Sequence, residues 1–170
     1  MVRSTLLCPI ALAAVGIAPW IAPSSLAAQT TTPVFDRLAG QWQGEGTLMG
    51  RSAAFTMTWT RHGDLAVLTF GNAFADSAGQ VTPVLDAAAV YRTLVATPEA
   101  VWLDSRGVRI ELDWQATDST LVADWTAPGE TGRTTYRVVG PDVIEVTDEV
   151  RTDEGWRTFA AARYGRAPAP

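Results

Sequence analysis

The segment Leu38-Ala39-Gly40-Gln41-Trp42-Gln43-Gly44-Glu45-Gly46 constrains the fold more than any other stretch of this chain. It follows a short helix-like run, Val34-Phe35-Asp36-Arg37. A tryptophan two residues after a glycine, where a chain enters its first strand, suits a barrel that must plug one end. The indole fills the floor, and the glycines let the strand bend sharply around it.

From Trp42 onward the pattern has period two, with turn signals recurring about every ten residues. Trp42, Gly44, Gly46 and Leu48 share one face; Gln43, Glu45 and Thr47 share the other. After the turn Gly50-Arg51-Ser52, the residues Phe55, Met57 and Trp59 alternate with Thr56, Thr58 and Thr60. His62-Gly63-Asp64 turns the chain into a strand over Leu65–Phe70, and a longer loop is expected from Gly71 to Pro83. Further strands are expected over Asp86–Leu94, Val101–Asp104, Val108–Gln115, Leu121–Trp125, Arg133–Val138, Val143–Val150 and Trp156–Tyr164. No helical stretch is available to cross between parallel neighbours, so the strands must run as an antiparallel meander. One apolar face per strand demands two stacked sheets or one sheet closed on itself. Only Gly71 to Pro83 is long enough for a Greek-key connection, which favours closure. The expected fold is all-β, an antiparallel up-and-down β-barrel of about ten strands with a short N-terminal helix.

The N-terminus carries one basic residue, Arg3, then an apolar run from Leu6 to Ala22, then Ser25-Leu26-Ala27-Ala28. This describes a secretory signal peptide over residues 1–27, cut before Ala28. A retained membrane anchor is the rival reading, but Pro9, Pro19 and Pro23 interrupt the run and no charge ends it. Lipid attachment at Cys8 is disfavoured, because Leu7 occupies a position that wants a small residue. Residues 28–33 then form a linker, 34–166 the barrel, and 167–170 a loose tail. A secreted or periplasmic location follows from the leader.

Cleavage removes Cys8, the only cysteine, and with it disulfides, thiolate catalysis and cysteine metal sites. All thirteen basic residues are arginines, so Schiff-base chemistry and a P-loop lysine are excluded. The mature domain of roughly 140 residues holds one sizeable core, and packing must supply its stability. Net charge is −5 and the arginines are scattered among carboxylates, so no basic stripe exists for nucleic acid.

The Gly40-x-Trp42-x-Gly44-x-Gly46 motif after a short helical run resembles the opening of lipocalin and calycin barrels. In form it is similar to nitrobindin-like and fatty-acid-binding-protein-like ten-stranded barrels, and to exported bacterial families of that shape. The resemblance implies a basic side chain from the last strand lying over the motif tryptophan, with Arg157 and Arg163 as the candidates. It also implies where this chain departs. Nitrobindin-like proteins hold haem through a late-chain histidine, whereas the single histidine here, His62, sits in an expected hairpin turn. No cofactor is therefore expected. The helical lid of fatty-acid-binding proteins has no counterpart either, since only Gly50-Arg51-Ser52 joins the first two strands.

Trp42, Trp59, Trp102, Trp114, Trp125 and Trp156 remain after cleavage. Several share the inner phase of their strands, with Met57 and Tyr136 beside them. Trp42, Met57, Trp59, Trp114, Trp125, Tyr136 and Arg157 are the candidate ligand-binding residues, for a flat or greasy small molecule. The same rings would equally fill a small barrel. The phase of the last strand is open: either Trp156, Ala160, Ala162 and Tyr164 point in, or Arg157, Phe159 and Arg163 do. Asp148 breaks the inner phase set by Ile144, Val146 and Val150, and needs an arginine partner or a wet mouth. No metal spacing, phosphate loop or catalytic triad can be assembled.

Three readings follow. The first is an exported, monomeric or weakly dimeric module that binds a small hydrophobic molecule and has no stable place in a membrane. The second is an isomerase- or cyclase-type enzyme using Asp148 or Asp104 as acid–base. The third is a structural domain with a filled lumen.

Overall fold

The computed structural model describes residues 33–76, 78–94 and 99–168. The expected leader, most of the expected linker and the last two residues of the expected tail lie outside the described residues. A short helix, α1 (Pro33–Leu38), precedes ten strands. These are β1 (Gly40–Leu48), β2 (Arg51–His62), β3 (Leu65–Ala75), β4 (Val81–Arg92) and β5 (Glu99–Asp104), followed by β6 (Arg109–Ala116), β7 (Thr120–Ala127), β8 (Glu130–Gly140), β9 (Val143–Thr152) and β10 (Gly155–Arg166). Every sequence neighbour pairs antiparallel, and β1 closes on β10 from Trp42↔Arg166 to Leu48↔Ala160. The meander is a closed up-and-down barrel.

Closure depends on a close approach. A side chain at Gly46 would collide with the Ala161 carbonyl of β10, so only hydrogen lets the first and last strands meet here. The glycine run of β1 therefore serves strand contact as well as bending.

Six residues are too few for a helix to persist alone, so packing must hold α1 in place. Val34, Phe35 and Leu38 form its apolar face and are fully buried. Each such side chain contributes about 1.5–3 kcal/mol on leaving water. Two arginines fasten the outer face: Arg37 donates to the Asp118 carbonyl at 3.1 Å, and Arg61 lies 3.7 Å from the Asp36 carboxylate. The helix thus seals the end of the barrel at which β1 begins, here called the bottom.

The expected loop from Gly71 to Pro83 is largely strand. β3 continues to Ala75 and β4 begins at Val81, while a register shift between Asn72 and Ala73 absorbs the irregularity that Pro83 introduces. Only residues 76–80 connect them, with the Asp76 carboxylate accepting from the amides of Ala78 and Gln80.

The two alternative phases of β10 are both partly right. A register shift between Thr158 and Ala160 changes the phase within the strand. Below it, Ala160, Ala162 and Tyr164 face inward and Arg163 faces out to Glu145. Above it, Arg157 pairs with Val150 and so shares its inward register, at the top rim where it is exposed. Trp156 lies outside, stacked under Arg133 at 4.3 Å and Arg151 at 5.4 Å.

Candidate functional site

The inner face divides into two halves. Around α1 the rings interlock: Phe35 meets Trp114 edge-on at 5.2 Å, and Trp59 lies 5.4 Å from both Tyr91 and Tyr136. Trp42 is 1% exposed, donates its indole N–H to the Leu38 carbonyl at 2.7 Å, and carries the Arg166 guanidinium 4.2 Å from its ring centre. That bond satisfies one of the free carbonyls at the helix C-terminus. The bottom is sealed.

Towards the top the packing is mixed: Leu48, Ala53, Phe55 and Val150 are buried, while other inward residues keep accessible surface. Phe70, Trp102, Trp125 and Phe159 are half-buried, with Phe70 6.0 Å from Trp102 and Trp125 edge-on to Phe159 at 6.5 Å. Asn72, on the inward phase of β3 opposite Phe55, has a buried amide oxygen with no partner among the described residues.

Asp148 stands among them, opposite Thr134 on β8 and Ala160 on β10. The expected arginine is absent among the described residues; instead the Thr134 hydroxyl donates to Asp148 Oδ1 at 2.6 Å. Burial pushes its pKa up to about 6, and the Thr134 bond opposes that shift without reversing it. The carboxylate charge in turn adds to burial in raising the hydroxyl pKa values of Tyr91, Tyr136 and Tyr164 well above the ordinary range. These tyrosines are neutral O–H groups around one weakly compensated acid.

Asp104 is a different case. Burial alone would raise its pKa, but bonds from the Arg106 side chain and from the Val108 and Arg106 amides outweigh it and hold the carboxyl below its usual value. It fastens the β5–β6 turn.

The wall between β6 and β7 is incomplete. Their pairing ends at Leu112↔Trp125, and above that point a groove of about 390 Å³ opens between the strands. Ile110 and Trp125, from inward positions, reach it, while Glu111, Asp113 and Asp124 rim it from outside. Trp125 lies flat over Gly132, where any side chain would strike its ring.

No protein-family model and no curated protein matches this sequence. Among solved structures the chain is similar to the S-type phycobiliprotein lyase CPES from Guillardia theta. The TM-score is 0.52 at 11% sequence identity, over 80% of this chain and 92% of that one. The two chains share a fold. At that identity the likeness reaches no further than the fold.

Within the barrel the candidate residues separate. Trp42, Met57, Trp59 and Tyr136 are buried in the bottom core, and Trp114 is half-buried against Phe35 and Tyr91. Trp125 and Arg157 stand at the top. The arginine over the motif tryptophan is Arg166, and neither Arg157 nor Arg163: the first lies at the opposite end, and the second faces outward. Extending the Ala162, Tyr164 alternation by one more pair would have found it. Phe70, Trp102 and Phe159 are further inward rings, and Phe35 enters the cluster from the helix. Among the described residues no group of three or more His, Cys, Asp or Glu side chains could hold a metal.

Proposed function

We propose that this protein is an exported β-barrel that binds a small apolar or aromatic molecule in its upper half. One observation carries the reading: half-buried rings line the inner face above a floor that is packed shut. Apolar surface that stays accessible on an inner face is what a pre-formed ligand site presents. The fold shared with a phycobiliprotein lyase is compatible with a ligand-handling role. The opening motif adds the resemblance to nitrobindin-like and fatty-acid-binding-like barrels, without a late histidine for haem. Of the candidate binding residues, Trp125 and Arg157 are placed to meet a ligand in the upper half, whereas Trp114 packs against Phe35 and Tyr91 at the bottom. The leader over residues 1–27 supports a secreted or periplasmic location, and the acidic, interspersed surface supports a monomer or weak dimer without nucleic acid.

The test is uptake of a hydrophobic dye panel by the purified protein, read by dye fluorescence and by quenching of the tryptophans. Saturable uptake is expected, and native mass spectrometry of protein taken from its own host should show a retained compound. No uptake of any dye would leave a structural domain.

A second reading has one observation in its favour. Asp148, with a pKa of about 6 and neutral tyrosines around it, is suited to move a proton on a bound molecule in an isomerase- or cyclase-type reaction. Asp104 is not, because Arg106 and two amides hold it ionised. Turnover of the retained compound, abolished in Asp148→Asn, would decide for this reading.

A further inference from the structure

The carboxylates that have arginine partners stand on the outer wall, in turns or on the outer face of α1. Glu149 is bonded to Arg133, Glu145 to Arg137 and Arg163, Asp142 to Arg166, and Asp104 to Arg106. The carboxylate inside the barrel has no such partner among the described residues. Asp148 receives one neutral hydroxyl at Oδ1, and no donor of the described residues reaches Oδ2. A carboxylate in aromatic surroundings is costly to leave uncompensated. Yet Asp148 retains accessible surface, so something from the lumen can reach it.

The side opening carries the same sign. Asp113 and Asp124 face each other directly across β6 and β7, an arrangement that is locally unfavourable for like charges. Glu111 extends the acidic rim, and the Arg109 beside it is bonded to Glu111 itself at 3.1 Å. With Arg109 in the lining and Arg133 opposite Asp124, the groove still carries more carboxylates than arginines among its lining residues, and an excess of one sign concentrates the opposite ion. Trp125 reaches the groove and stands edge-on to Phe159 on the inner face, and ring faces attract cations. The top rim differs. Arg51 sits 3.7 Å over the Phe74 ring, and the exposed Arg157 shares the inward register there.

We infer that the ligand of this barrel is an organic cation, a flat apolar body bearing a protonated nitrogen whose N–H is accepted by Asp148 Oδ2. It rests on the reading of the barrel as a binding module, and it names the ligand class for that site. The rings hold the body, the carboxylate holds the charge, and the acidic groove between β6 and β7 is the way in. A charge-assisted bond of this kind is about twice as strong as a neutral one.

Three probes of matched shape test it: 1-naphthylmethylammonium, 1-naphthalenemethanol and 1-naphthoate, titrated into the full protein by calorimetry at neutral pH. The ammonium probe should bind at least about tenfold tighter than the alcohol, which corresponds to about 1.4 kcal/mol. Asp148→Asn should remove that preference and leave the alcohol unchanged, while Asp148→Glu, which keeps the charge, should retain part of it. The ranking in the unmodified protein decides the matter even if Asp148→Asn fails to fold. Equal binding of ammonium and alcohol overturns the inference and leaves the binding module standing. Tighter binding of naphthoate also overturns it, and assigns recognition to Arg51 and Arg157. No binding of these probes alongside a positive dye panel defeats the inference alone; no binding of any dye or probe defeats the binding reading as well.

Discussion

The two ends of this barrel are built from the same residue types and do opposite things with them. At the bottom, Trp42, Phe35, Trp59 and Tyr91 interlock around a six-residue helix and reach near-complete burial. At the top, Phe70, Trp102, Trp125 and Phe159 stand on equivalent inward positions and stay half-buried. The difference lies in what covers them. The bottom has a helix, and the Arg166 guanidinium over its key indole. The top has short turns, an incomplete β6–β7 ladder and one inward acid without a counter-charge among the described residues. Aromatic content alone does not tell a plug from a binding surface; the supply of covering backbone does.

The sharpest way to break this contrast is to delete one ring from each end. Trp42→Ala removes a buried indole together with its bond to Leu38, and should cost about 3–5 kcal/mol in urea unfolding. Trp102→Ala removes a ring that already meets water, and should cost about 1–2 kcal/mol. Equal losses would mean that the top is as well packed as the bottom.

Glycine substitutions sharpen the same contrast at smaller amplitude. Gly46→Ala drives a methyl into the Ala161 carbonyl, where two strands of backbone must part, and should cost about 3 kcal/mol. Gly132→Ala meets the Trp125 indole, which borders an open groove and can swing aside. It should cost about 1 kcal/mol and speed dye entry in stopped-flow mixing.

Asp148 gives the comparison a pH signature. Its pKa of about 6 when folded lies above the ordinary carboxylate value of about 3.9. Between those values the folded protein holds a proton that the unfolded chain has released. Stability from this group is therefore full below about pH 4, declines as pH rises, and is lost above about pH 6. In Asp148→Asn that slope should vanish, so the variant gains about 2–3 kcal/mol on wild type between pH 4 and pH 7. Thermal melts across that range would show it. A wild-type curve that is flat there would place the carboxylate in ordinary solvent.

Much of this was legible in the sequence, and the failures have physical causes. Period-two alternation and short turns gave closure and strand count, because each strand must hide one face. The Gly40-x-Trp42 motif marked the floor. The extra length of β3 and β4 was hidden because Gly71 and Pro83 read as loop residues, while a bulge lets the ladder run past them. The last strand could not be phased from alternation, since the shift at Thr158 and Ala160 puts Arg157 and Tyr164 on one face although they are an odd number of residues apart. Asp148 was visible as a break in pattern. Its partner was not, because Thr134 lies across a strand pair whose register only the fold sets.

β10 itself carries the finest version of the contrast, since it bears an inward-register arginine at each end. Arg166 spans the seam: it covers Trp42, donates to the Ala39 carbonyl at 2.9 Å, and pairs with Asp142 at 3.1 Å. A cation over an indole at a partly exposed site is worth about 0.5–2 kcal/mol, so Arg166→Ala should cost about 1 kcal/mol. Arg157 makes no ion pair or side-chain hydrogen bond among the described residues and is exposed at the rim. Arg157→Ala should stay within about 0.5 kcal/mol of wild type in the same unfolding experiment. If Arg157→Ala proves the more damaging change, the top of the barrel is held shut by that side chain, and the open upper half described above is the wrong picture of the resting protein.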